Sequence, residues 1–239
     1  MPIYDLTIEI SPETTVFPGD PTFQAEPISE VKHGSTFTLL HFHFGNHTGT
    51  HIDFPAHVIV KGKTSSAYPL ERLMGTMQLI EVPGDGHVTL RHVESLSPKD
   101  GTIIFFKTNN SRANLHDKPY TDSYAAIDPS AAEELARKGF SIVGIDYLSV
   151  DRVEDEELPT HHCLLSNDIL IIENLDLRKI PAGKYHVTIA PLKVKEADGL
   201  PVRVIACETT LFSKTDYEER QSEYLRNKDR NQRSQIKLG

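Results

Sequence analysis

The chain has 239 residues, 38% hydrophobic and 25% charged, with a formal net charge of −9; such a length suits one large domain with a modest core. The acidic balance excludes an electrostatic nucleic-acid surface, which needs a basic stripe, and no run of about 18 apolar residues calls for a membrane. The first residues lack the basic and apolar regions of a secretory signal, and Cys163 and Cys207 suggest no disulfide framework, so a cytoplasmic protein is expected.

Residues 3–10 alternate apolar and polar side chains and read as a strand. The loop Phe17-Pro18-Gly19-Asp20-Pro21 is rich in turn formers. It reads either as a plain surface turn or as a rim loop that presents Phe17 to a ligand. Residues 35–45 form a second candidate strand, with Phe42 and Phe44 on one face and His41 and His43 on the other. The two histidines read as polar residues on the wetter side of a half-buried strand, with a ligand role as the alternative.

The segment that follows concentrates chemistry. Between His47 and His57 stand three histidines and Asp53, all at odd positions, which on an extended segment share one side. Fully stretched, it would span roughly 33 Å, too far for one centre. Gly49, free in φ, and Pro55, fixed in φ, are the places where it can bend. His51 and Asp53 need no bend, being two residues apart on one strand face. Imidazoles and a carboxylate are ligands for a borderline divalent metal, and the segment reads as a metal site.

Further on, Leu79–Val82 reads as a short strand ending at the turn Pro83-Gly84-Asp85-Gly86, and residues 101–107 as a buried strand. The polar stretch 108–124, without a clear period, reads as a loop or an insertion, a candidate cover for the pocket. Asp128 as N-cap and Pro129 at the first helical position open a helix that Gly139 stops, and a strand over 141–146 follows, a step typical of α/β layering. Residues 151–158 are an acidic loop; 169–174 and 202–206 are strands. The last 26 residues, 214–239, carry twelve charges and read as a frayed helix or a disordered tail.

One segment rarely completes a metal site. The pair His161-His162 and, after an apolar run, Glu173 stand out among the other candidates. A carboxylate within Ile-Leu-Ile-Ile-Glu-Asn is costly to bury unless it is paired, and a metal would satisfy it. Otherwise Glu173 marks the solvent end of its strand and the histidines belong to an ordinary loop.

The run His47-x-Gly49-Thr50-His51-x-Asp53-x-Pro55-x-His57 resembles, at every fixed position, the signature of the metal-dependent cyclase family, which includes bacterial kynurenine formamidases and isatin hydrolases. Phe17-Pro-Gly-Asp-Pro, Gly144-Ile-Asp146 with Ser149-x-Asp151, and His161 with Leu164-Leu165 and Glu173 are similar to it too. The likeness runs from about residue 3 to about residue 213. It implies an α/β fold: a single mixed-sheet domain with few helices over 1–213 and a swivelling β/β/α-type core. It implies that His47, His51 and Asp53 bind the metal directly, completed by His161 and Glu173, with His57 as the catalytic proton shuttle. His161 is preferred to His162 because its twelve-residue interval to Glu173 matches the family. The implied cofactor is a divalent metal, zinc first and manganese as the alternative, as one or two ions. The implied activity is hydrolysis of a small amide, a formamide or a cyclic amide or imide, by a homodimer or homotetramer. A non-catalytic metal or ligand binder and a polyketide-type cyclase are the alternatives. One departure stands out: the formamidases' rim loop usually carries a tryptophan, whereas this chain has none and offers Phe17 for substrate binding.

Overall fold

Alternation of apolar side chains along short strands builds the architecture. The computed structural model describes residues 2–208; the charged segment 214–239 lies outside them. The strands are β1 Ile3–Asp5, β2 Gln24–Ser29, β3 Leu39–His43, β4 His51–Asp53, β5 Met74–Glu81, β6 Ile103–Lys107, β7 Ile142–Ile145, β8 Leu170–Glu173, β9 Gly183–Pro191 and β10 Gly199–Glu208. The helices are few and short: α1 Leu90–Val93, α2 Asn109–Arg112, α3 Pro129–Lys138 and α4 Pro159–Ser166.

The main sheet runs β1-β10-β4-β8-β7-β6-β5-β9, and β9 pairs in turn with β10. The sheet therefore closes on itself into a barrel, with β1 added beside β10. Strands β5 to β8 pair in parallel in the order β5-β6-β7-β8; β4, β9 and β10 join antiparallel. This is the expected mixed sheet with few helices.

Two apolar layers follow from the two-residue period. Ile52, Met77, Phe105, Ile142, Ile172, Val187 and Val204 belong to the cluster that fills the barrel. Their neighbours Ile104, Phe106, Val143, Ile145 and Ile171 face outward and are covered by Ala131, Ala132 and Leu135 of α3 and by Leu164 and Leu165 of α4. Helix α3 has the expected ends: Pro129 at its start and Gly139 at φ +84° as its left-handed cap. Asp128, however, makes no side-chain cap; its carboxylate pairs with Arg152 instead.

Several sequence expectations change. The first strand stops at Asp5, whose side chain accepts from the Thr7 amide and competes with the ladder. The stretch 35–45 is not half-buried as expected: among the described residues β3 pairs only with β2, in a separate two-stranded ribbon, and every residue of β3 is exposed. Strands β2 and β9 and helix α4 were not anticipated. Tyr185, Val187 and Ile189 of β9 do alternate inward, a period-two signal that was there to be read.

Candidate metal centre

The centre lies on the outer face of the barrel, where β4 and β8 meet. Ile52 faces the barrel interior, so His51 and Asp53 face outward. Antiparallel pairing sets Glu173 opposite His51. Gly49, at φ +70°, turns the chain so that His47 comes back over the same face. Pro55 opens a 3-10 turn, Pro55–His57, that returns His57 from the other end. The rings of His47 and His57 lie 4.2 Å apart between centroids. The bends expected at Gly49 and Pro55 are where they occur.

His161 arrives from α4, 5.6 Å from the His57 ring. Asp151 positions it: its carboxylate accepts the backbone N–H groups of Thr160 and His161 at 2.7 and 2.9 Å and stands 2.6 Å from His161 Nδ1. A carboxylate held ionised takes Nδ1–H, which leaves the Nε2 lone pair facing inward, 3.3 Å from Glu173 Oε1 and 3.6 Å from Asp53 Oδ2. His162 on the same helix is exposed and belongs to no part of the cluster. His51 is fixed likewise, since a carbonyl can only accept: Nδ1 donates to Gly49 O at 2.9 Å, and Nε2 faces Glu173 Oε2 at 3.2 Å and Asp53 Oδ1 at 3.5 Å.

Asp53 decides what this arrangement is for. Both its oxygens are buried and, among the described residues, neither accepts a hydrogen bond of good geometry, although His47 Nδ1 is only 2.8 Å from Oδ1. Close approach without hydrogen-bond geometry is what ligands show when their lone pairs converge on a point between them. An orphaned buried carboxylate is costly unless a cation completes it. Two trios of ligand atoms share this residue, His47–Asp53–His57 and His51–Asp53–Glu173, each within 4.8 Å. The donor set is nitrogen and oxygen without thiolate, which fits a divalent metal.

The electrostatics agree. Burial alone would depress the imidazoles, but neighbouring carboxylates outweigh it: His47 is pushed up to about 9, chiefly by Asp53 and then Asp198. His51 and His161 are raised too, burial being outweighed by Asp53 and Glu173 respectively. Burial would raise Asp53 and Glu173, yet the imidazoles hold both below the usual carboxylate range. Without a cation, the carboxylates keep protons on the rings; a metal takes the place of those protons. His57 differs: burial dominates and its pKa is lowered.

Above the cluster is a cavity of about 230 Å³ whose lining includes Phe17, Asp20, His57, Leu148 and Leu158. Phe17 is half-exposed and packs edge-on against Tyr120, with centroids 5.8 Å apart. None of residues 108–124 lines the cavity, so this stretch supports the rim through Tyr120 and does not cover the pocket. Cavities of about 600 and 580 Å³ lie elsewhere, but among the described residues neither is lined by any of the ligating trios.

The family model described as a cyclase matches residues 4–152. The chain belongs to the cyclase family. A kynurenine formamidase from Salinibacter ruber (strain DSM 13855 / M31) is 32% identical to this cyclase-family chain over 207 residues, spanning 86% of it and 97% of the relative. A structure described as a predicted metal-dependent hydrolase from Bacillus stearothermophilus superposes with a TM-score of 0.72 at 31% identity, covering 86% of this chain and 97% of that one. Isatin hydrolase A from Labrenzia aggregata superposes with a TM-score of 0.74 at 24% identity, covering 87% and 94%, a likeness of fold.

Sequence reasoning missed two members of the site. Asp151 carried only a resemblance and no role. Asp198 stands in the loop before β10, 3.1 Å from His47 Nε2 and 3.5 Å from His57 Nδ1. Its neighbour Gly199 pairs with Asp53 across β4 and β10, and a Cβ there would lie 2.3 Å from the His47 ring. Gly199→Ala is therefore expected to displace His47 and weaken metal binding roughly 10–100-fold, the cost of losing a ligand's outer support. Competition against a chromogenic chelator measures this; an unchanged affinity would show that His47 does not depend on that space.

Proposed function

We propose that this chain is a metal-dependent hydrolase of small amides, with His47, His51, Asp53, His161 and Glu173 as metal ligands and His57 as the proton shuttle. The observation that carries it is the buried Asp53 carboxylate, without a well-formed hydrogen bond and ringed by imidazole nitrogens beneath an open cavity. Membership of the cyclase family, and a relative named kynurenine formamidase, supply the reaction class.

Bound there, a divalent cation would supply Lewis acidity and lower the pKa of its water toward neutrality. The chain's own residues do the rest. Glu173, its Oε1 accepting the Val150 amide at 2.7 Å, is held in place by the backbone. His57 faces Asp198 through Nδ1, which leaves Nε2 to take a proton from the attacking water and pass it to the leaving nitrogen. Its position next to His47 and Asp53 would also suit a ligand. Proton transfer is assigned because its side chain is the most exposed of the four imidazoles, 27% against 19% for His47 and 3–4% for His51 and His161. Phe17 offers an aromatic wall to an aryl or planar cyclic substrate.

Zinc is proposed by resemblance to the formamidases, with manganese as the alternative; the nitrogen and oxygen ligand set suits either, and two trios sharing Asp53 leave room for one ion or two. The cytoplasm is proposed as the compartment on the strength of two free thiols. A homodimer, or a homotetramer, is proposed because Ile28, Val31, Phe37 and Phe42 on and around the ribbon are 52–64% exposed.

The test is a panel of aryl formamides, cyclic imides and lactams assayed with zinc-loaded, manganese-loaded and metal-stripped protein. Turnover of at least one class is expected, lost on stripping and restored by metal. Tight metal binding with no turnover of any of these amides would overturn the hydrolase in favour of a binding protein.

A further inference from the structure

The β2–β3 ribbon holds a second group of ligating side chains, separate from the barrel. His41 and His43 are two residues apart on β3 and therefore share a face. Glu26 of β2 lies directly opposite His41 in the antiparallel register. The two rings are 4.0 Å apart between centroids, and His43 Nε2 is 3.5 Å from Glu26 Oε2. One ligand atom from each of the three lies within 4.8 Å of the other two.

We propose that the ribbon carries a second divalent-cation site formed by Glu26, His41 and His43, open to solvent at its remaining positions. Two imidazoles and one carboxylate are a ligand set that zinc accepts, with water completing the tetrahedron. Ligand nitrogens of one zinc, each about 2.0–2.1 Å from the metal, lie roughly 3.3 Å apart, so small rotations of exposed side chains suffice to close the group. The placement also suits the ribbon. Among the described residues it pairs with no strand of the barrel, and its register shifts between Pro27 and Ser29. A two-stranded ribbon alone is marginal in water, and its register is weakly specified where both faces are exposed. A cation held by Glu26 on one strand and two histidines on the other ties the strands together at one register. The site is independent of the hydrolase centre and uses none of its residues.

Zinc is the probe. Wild type and the His41→Ala/His43→Ala double variant both keep His47, His51, Asp53, His161 and Glu173, so zinc at the barrel site cancels in the comparison. Chelator competition with elemental analysis after gel filtration is expected to show one equivalent fewer in the double variant. Losing an outer partner of a metal ligand costs roughly 10–100-fold in affinity, so His43→Ala or Glu26→Gln alone should weaken the extra equivalent at least that much. Hydrogen exchange gives a second readout: zinc should slow the amides of 24–29 and 39–43 in wild type and not in the double variant. Equal zinc stoichiometry in the two proteins overturns the site. So does a loss that divides into two independent halves between His41→Ala and His43→Ala, the behaviour of two lone imidazoles.

Discussion

Asp53→Asn is expected to leave the purified protein with background levels of divalent metal and to lower kcat/KM for its amide substrate by at least ~10³-fold, since a metal supplies several kcal/mol of charge stabilisation and each 1.36 kcal/mol is about tenfold. The substitution keeps the shape and removes the charge. Its effect is large because the two ligand trios share this one carboxylate, so both are broken together. Asn can offer one oxygen in place of two, and the carboxylate that now opposes three imidazoles is gone. Loss of metal must be separated from loss of fold, because Asp53 is completely buried. Metal-stripped wild type is the proper reference: the variant should match its circular dichroism while failing to regain metal on reconstitution. Metal content and turnover that both survive would remove Asp53 from the centre.

His51, Asp53 and Glu173 show how much of the site can be read from sequence. On strands the side-chain period is two, so His51 and Asp53 share a face by arithmetic, and an acidic residue at the end of an apolar strand draws attention through its burial cost. His47 and His57 required knowing that Gly49 and Pro55 bend the chain toward one point, which their φ preferences suggested. His161 and His162 could not be separated by pattern. What separates them is the helix α4 that turns one inward and one outward, with Asp151 holding the inward ring. Asp198 gave no signal, because it sits in a loop whose position depends on β10 switching from β4 to β9 along its length. The ribbon was misjudged for a related reason. Residues 39–43 alternate well enough for a half-buried strand, but local pattern cannot say whether a neighbouring layer exists to bury it. The barrel's order was equally out of reach, since parallel neighbours such as β6 and β7 are set by contacts distant in sequence.

His57→Gln is expected to retain metal at the wild-type level and to lower kcat by ~10²–10⁴-fold, the usual contribution of a positioned acid–base group. The pairing of those two results is what gives the experiment its force. A ligand would take the metal with it; a shuttle takes only the rate. The pH profile adds a third readout. Burial is the largest influence on His57 and lowers its pKa, Asp53 acts the other way, and His47 and His161 lower it further. A cation in the adjacent site also disfavours the imidazolium, so its direction is the same. The wild-type rate should therefore rise with pH through a limb lying below the ordinary histidine value of about 6.5 and be flat above it, because the neutral ring is the base. In the Gln variant that limb should vanish. Asp198→Asn, assayed with metal in excess because it also removes the partner 3.1 Å from His47 Nε2, should move the limb without abolishing it: a carboxylate 3.5 Å from Nδ1 favours the charged ring, and its loss shifts the limb to lower pH. A limb that persists unchanged in His57→Gln would assign it to another group, and metal lost from that variant would make His57 a ligand, leaving the proton to be carried by solvent or by Asp198.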